Sequence, residues 1–156
     1  MLGLDLGERR IGVALADLEA GPARARPFAT VRRQRHLEAD VATLGRLVAE
    51  QDVVELVVGL PLEAISGDEG PQAQATRAWA EAVAAALALP LFLRDERQTS
   101  RRAEERIGPA RRGRAGGPPT GAQRDAYRAR VDREAAAIIL QDELDARAEQ
   151  QMETAT

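Results

Sequence analysis

The first seven residues, Met1-Leu-Gly-Leu-Asp-Leu-Gly7, alternate strictly, with Leu2, Leu4 and Leu6 on one face of an extended chain and Gly3, Asp5 and Gly7 on the other. A turn at Glu8-Arg9-Arg10 leads into a second alternating run, residues 11–17, in which Ile11, Val13 and Leu15 share a face. The pattern lapses around Gly21-Pro22 and resumes in a third predicted strand near residues 26–33. Leu37, Val41, Leu44 and Val48 recur at helical spacing and predict an amphipathic helix over 37–50. The run 53–60, VVELVVGL, is nearly continuous and β-branched, as a strand buried on both faces should be. After the Gly67–Gly70 loop, Pro71 suits the first turn of an Ala-rich helix reaching about Leu87. Residues 90–94, PLFLR, read as a short core strand that buries Phe92, and Thr99 or Ser100 is placed to cap a helix through about Ile107. Residues 108–121 hold five Gly and three Pro and predict a mobile loop. Thr120-x-x-Gln123 has the form of a capping box opening a long final helix to about Glu149. Strands alternating with helices after an antiparallel meander define an α/β class with a mixed sheet.

Composition narrows this picture. At 156 residues the chain is expected to form one domain over residues 1–149, with a frayed tail over 150–156. There is no cysteine, so neither disulfides nor thiolate metal sites arise, which fits a reducing compartment. No stretch approaches the ~20 apolar residues that span a bilayer. The N-terminus is a strand pattern rather than a leader, so neither a membrane nor a secretory destination is expected. All 22 basic residues are Arg, which makes every cation a planar fork suited to phosphate. The net charge of −3 hides an asymmetry: residues 94–133 carry twelve Arg against six acids, a local +6 in an otherwise acidic chain. Such a segment is either a solvated surface or a track for a polyanion.

Candidate chemistry centres on acids. Asp5 interrupts an apolar strand, where an ionised carboxylate is costly unless something positive meets it, and its flanking glycines clear space. A divalent metal and a phosphate are the candidates. Asp95 and Glu96 follow a strand whose carboxyl end is where open α/β sheets collect ligands. The single histidine, His36, lies in a polar Arg-rich stretch and reads as a surface residue.

Five motifs occur in order: Asp5-x-Gly7, Arg10-Ile-Gly-Val-Ala14, Val57-Val-Gly-Leu-Pro61, Asp95-Glu-Arg-x-Thr99 and Val131-Asp-x-x-Ala-Ala-x-Ile-Ile-Leu140. Together they make the chain, over about residues 1–146, resemble the YqgF (RuvX) family of bacterial proteins, described as Holliday-junction-resolvase-like or as pre-16S rRNA nucleases. The resemblance implies an RNase H-like fold, a five-stranded mixed sheet with its first three strands antiparallel, flanked by helices. It also implies a cytoplasmic hydrolase using Mg²⁺ or Mn²⁺ on nucleic acid, RNA by preference and DNA as a possible substrate, and acting as a monomer or homodimer. Carried over by position, the catalytic and metal-holding acids are Asp5, Glu96 and Asp132, with Asp95 a less certain ligand. More distant nucleases often add a fourth acid three positions after the one in the last helix. Here that position is Ala135, and Glu134 beside it points about 100° away round the helix.

Each residue also has an ordinary reading. Asp5 can be a hydrogen-bonded structural acid, Asp132 a boundary acid of its helix, and Asp95 and Glu96 can exchange roles. Arg97 either orients a carboxylate or grips a phosphate, and Arg10 either binds substrate or forms a strand-end salt bridge. Gly59 and Pro61 read as loop geometry. Arg111, Arg112 and Arg114 are expected to track a phosphate backbone, and Tyr127 is the one aromatic placed to stack on a base. Three functions compete: hydrolysis of RNA in ribosomal RNA precursor maturation, resolution of branched DNA by a two-fold dimer, and nucleic-acid binding without catalysis as in a transcription factor. A sugar-kinase-like or actin-like ATPase also begins with strand-borne Asp-x-Gly, but 156 residues leave no space for its second lobe.

Overall fold

In the computed structural model, residues 1–19 and 21–155 are described, excepting the side chain of Arg114. The three opening strands form as the alternation dictates: β1 (Leu2–Leu6), β2 (Arg10–Ala16) and β3 (Ala25–Arg32). They pair antiparallel, β1 with β2 and β2 with β3, with one register shift at Val13/Ala14. Helix α1 (Leu37–Glu50) leads to β4 (Leu56–Leu60), helix α2 (Pro71–Leu87) to β5 (Leu91–Asp95), and helices α3 (Thr99–Ile107) and α4 (Gly121–Thr154) complete the chain. Strands β4 and β5 add parallel to β1, giving the order β3-β2-β1-β4-β5. The carboxyl ends of the three parallel strands therefore share one edge with the β1–β2 turn and the end of β3.

The two faces of the sheet bury different residues. Leu2, Leu4, Leu6, Ile11, Val13 and Leu15 point toward α1 and α2, meeting Leu44, Trp79 and Val83. Burying leucines of this kind contributes about 2 kcal/mol each. The opposite face carries small residues, Gly3, Ala14 and Ala16 among them, and receives α4 through Ala136, Ala137, Ile139 and Leu140. The alternation seen in the first seven residues is thus a division of labour, with bulk on one side and clearance on the other.

Local signals account for most boundaries. Pro71 opens α2, which ends on Ala88 in a left-handed conformation whose N–H reaches the carbonyls of Ala84 and Ala85. The capping box is formed at α4: Gln123 N–H donates to Thr120 Oγ1 at 3.2 Å and Thr120 N–H to Gln123 Oε1 at 2.8 Å.

Four expectations are corrected. Strand β4 starts at Leu56 rather than Val53, because Asp52 turns left-handed (φ 50°) and the Val53 N–H is spent on the Val48 carbonyl, closing α1. Helix α3 is preceded by Gln98, with no side-chain cap from Thr99 or Ser100. Helix α4 runs to Thr154, past the predicted end at Glu149, although its last turns are solvent-exposed. Phe92 is 38% exposed rather than in the core. It sits on the edge strand β5, and the Arg147 guanidinium covers it 4.3 Å from the ring centroid.

Gly12 is the tightest contact between sheet and α4, since a Cβ there would lie 2.0 Å from the Asp132 carbonyl oxygen. The obstructing atom is helix backbone and cannot rotate away. Gly12→Ala should therefore destabilise the protein by about 2–3 kcal/mol, the upper range for an overpacked contact, read as a lowered midpoint in urea unfolding.

Candidate active site

Asp5 sits near the carboxyl end of β1, paired in register with Gly12 of β2, and is the only residue of the strand that is not fully buried. Glu96 follows β5 directly, and its N–H donates to the Leu60 carbonyl at 3.1 Å, holding the turn against the end of β4. A Cβ on Gly59 would come within 2.4 Å of Glu96 Oε2, so the missing side chain at 59 is what admits the Glu96 carboxyl. The Asp5 and Glu96 side chains hydrogen-bond to each other.

Two carboxyls this close and this enclosed cannot both ionise readily. Burial, then the charge and hydrogen bond of Asp5, raise the Glu96 pKa to about 9. Burial also raises Asp5, to about 6; the hydrogen bond from Glu96 opposes that rise and the charge of Asp132 adds to it. At neutral pH the pair as a whole retains one proton, shared between Asp5 and Glu96.

Asp132 lies on α4 where the helix crosses Gly12, close enough for its charge to act on Asp5. Its carboxylate does not join the pair. It accepts a hydrogen bond from Arg10 Nε at 2.6 Å, and both side chains are about one quarter exposed (29% for Arg10, 26% for Asp132). Among the described residues, no group of three His, Asp or Glu side chains is gathered as a metal-holding set. The donor chemistry nevertheless fits a hard divalent cation. Glu96 Oε2 is buried with no hydrogen-bond partner, and two carboxylates sharing a proton are poised to exchange it for an ion.

The remaining expected residues fall elsewhere. Asp95 is committed to Arg97, accepting from the Arg97 backbone N–H at 2.9 Å and from Nε at 2.7 Å. The Arg97 guanidinium holds the Asp95 carboxyl below its usual range. Asp95 is thus engaged by Arg97, although its charge still adds to the rise of Glu96, and Arg97 orients a carboxylate. Arg10 forms the salt bridge that was one of its two readings. Arg111 and Arg112 are exposed and without ion-pair partners among the described residues, while the Arg114 side chain lies outside them. Tyr127 donates its hydroxyl to the Gly108 carbonyl at 3.0 Å, tying the glycine-rich loop to α4. Ala135, where a fourth acid would stand, is 1% exposed among Ala103, Val131 and Ile138. Glu134 faces away toward Arg106, 3.2 Å distant. Gly12 was left unassigned by the sequence and gives clearance; Gly59, read as loop geometry, lies within β4 and does the same, and Thr99, read as a cap, is buried with a partnerless Oγ1. A glycine within an apolar strand was the available signal.

A five-stranded mixed sheet with this strand order and a helix laid across it defines an RNase H-like fold. Among solved structures, Thermus thermophilus RuvC in complex with Holliday junction substrate superposes with a TM-score of 0.53 at 13% identity, covering 94% of each chain. Thermus thermophilus RuvC alone gives 0.51 at 13% identity over 95% of each chain. The family model described as "RuvX: Holliday junction resolvase" matches residues 1–146, and the chain belongs to that family. A relative from Chloroflexus aggregans is 43% identical over 94% of each chain. One from an Anaeromyxobacter species is 44% identical over 94% of this chain and 96% of its own. Both carry the name "Putative pre-16S rRNA nuclease".

The shared proton makes the fold pH-sensitive. A carboxyl whose pKa is raised by folding binds its proton more tightly in the native state. Its contribution is therefore complete below the unfolded value of 4.5 and is lost as pH climbs through about 9. The metal-free protein should melt at progressively lower temperature between pH 5 and pH 9. Glu96→Gln, which keeps a hydrogen-bond donor without a titrating proton, should flatten that slope in thermal denaturation.

Proposed function

We propose that this chain is a divalent-metal-dependent phosphodiesterase that hydrolyses RNA, acting in the maturation of the 16S ribosomal RNA precursor. The observation that carries the proposal is the Asp5–Glu96 pair at the carboxyl end of the sheet, with its partnerless Glu96 Oε2. Most buried polar atoms find a partner, and this pair leaves an oxygen enclosed and unused, at a cost that binding a cation would remove. The names of the relatives supply the RNA substrate and, with it, a cytoplasmic setting. No described helix is long and apolar enough to cross a membrane.

Asp5 and Glu96 would hold Mg²⁺ or Mn²⁺, with Asp132 as the third acid. The ion, when bound, supplies the Lewis acidity that activates water and stabilises the leaving 3′-oxygen. Glu96 gives up its proton on binding, so affinity for the ion rises with pH. Arg10 restrains Asp132 at rest. For Asp132 to join the other two, Arg10 must find another anion, and the phosphate of an incoming strand is one. Assembly of the complete site is in this way tied to the presence of substrate. Asp95 and Arg97 brace the turn that carries Glu96 and act by positioning it.

Asp5→Asn should lower cleavage of a precursor-RNA substrate by about 100-fold or more, the scale of several kcal/mol of lost charge stabilisation. The variant should keep the circular dichroism spectrum and oligonucleotide affinity of the parent. Digestion panels with Mg²⁺ or Mn²⁺, run on precursor RNA beside a four-way DNA junction, check this. Undiminished cleavage by the variant would refute the site, and symmetric cutting of the junction in preference to RNA would reassign the substrate.

A further inference from the structure

Beside the acids, at the same end of the sheet, the β1–β2 turn, the last residues of β3 and the N-terminal part of α4 enclose a cleft of about 630 Å³. Arg9, Arg10, Thr30, Arg32, Arg33 and Asp125 border it. A second cleft of about 450 Å³ shares Arg9, Arg10 and Asp125 with the first and continues past Arg128 to Asp132. The two form one path that starts at the outer strand and ends at the third acid.

Several cations along this path are free of ion pairs. Arg9, Arg32 and Arg128 are exposed and have no ion-pair partner among the described residues. Arg33 donates from Nη1 to the Gly7 carbonyl at 3.1 Å, and its N–H donates to the Arg9 carbonyl at 2.9 Å. These bonds fasten the β1–β2 turn to the end of β3, so the cleft wall is built before any ligand arrives. Two acids, Glu8 and Asp125, also face the path. With Arg10 and Asp132 set aside as a neutral pair, four arginines oppose those two acids and leave an excess of two positive charges. Arginines not engaged with neighbouring acids keep their planar forks available for bidentate contact with phosphate.

We propose that this joined cleft is the binding track for the sugar–phosphate backbone of a single strand, delivering it past Arg10 to the acids. The inference rests on the nuclease reading for its destination, while its ligand chemistry rests on the cleft alone. Arg111 and Arg112 of the glycine-rich loop border neither cleft, although that loop leads into α4 and is tied to it at Tyr127, next to Arg128. The excess of unpaired guanidinium groups along the cleft favours recognition of the backbone over the sequence.

The test reads binding by fluorescence anisotropy on the intact protein without divalent metal, so that it stands apart from catalysis. The ligands are a labelled single-stranded RNA and a DNA of the same sequence. The triple variant Arg9→Ala/Arg32→Ala/Arg128→Ala should bind both on the order of tenfold more weakly than the parent. It should also lower the dependence of log K on log salt by about 2, at roughly 0.7 for each single-strand phosphate that the variant no longer neutralises. The matching Lys triple variant should restore most of the salt slope, which a purely structural role of these arginines would not produce. Unchanged affinity and slope in the Ala variant would overturn the track. So would RNA binding without DNA binding, because the contact would then be to the 2′-hydroxyl. If the Ala variant loses binding while the parent cuts no nucleic acid, the track stands and the nuclease reading falls. If the parent cuts RNA and the Ala variant binds normally, the nuclease reading stands and the track falls.

Discussion

Everything at the working end of this protein depends on how closely α4 lies on the sheet. Helix backbone can approach strand backbone only where no side chain intervenes. Gly3 and Gly12 provide this, Gly3 facing Ala136 and Leu140, and Gly12 lying beneath Asp132. The close approach lets Asp132 act electrostatically on Asp5, although their residues belong to elements more than a hundred positions apart in the chain. The bulky leucines and valines on the opposite face, packed on α1 and α2, supply the stability that allows this face to be lined with small residues.

The second constraint is electrostatic. Asp5 and Glu96 are held in an enclosed place where no cation among the described residues offsets their charge, and the chain accommodates this by keeping a proton between them. Asp132, only a short way off, is treated differently and given Arg10. Three acids are thus kept near one another with a single carboxylate compensated by a side chain.

Most of the architecture was legible in the sequence because its periodicities are clean. Alternation in β1 and β2, the stripe Leu37-Val41-Leu44-Val48, Pro71 at the head of α2 and the Thr120–Gln123 box each have one dominant physical reading, and each is found in the fold. What could not be read was tertiary. That β5 is an edge strand, leaving Phe92 to an arginine, follows from strand order, which local pattern does not encode. The left-handed turn at Asp52 overrode a β-branched run. At the site, the family resemblance offered Asp5, Glu96 and Asp132 as a set of three, and the fold brings the first two together. Which acid Arg10 would meet, and that Asp95 would turn to Arg97, depends on side-chain directions at the ends of two strands and a helix. Gly59 reads as loop geometry in the sequence because only the folded state shows the carboxyl that fills its space.

The Arg10–Asp132 bond has a thermodynamic corollary. If only those molecules in which the arginine has swung aside offer three ligands, an ion titrated into the isolated protein meets a competent form diluted by the clasped one. Its dissociation constant is then inflated by that ratio. A weak ion measured in the absence of nucleic acid would describe the clasp as much as the acids.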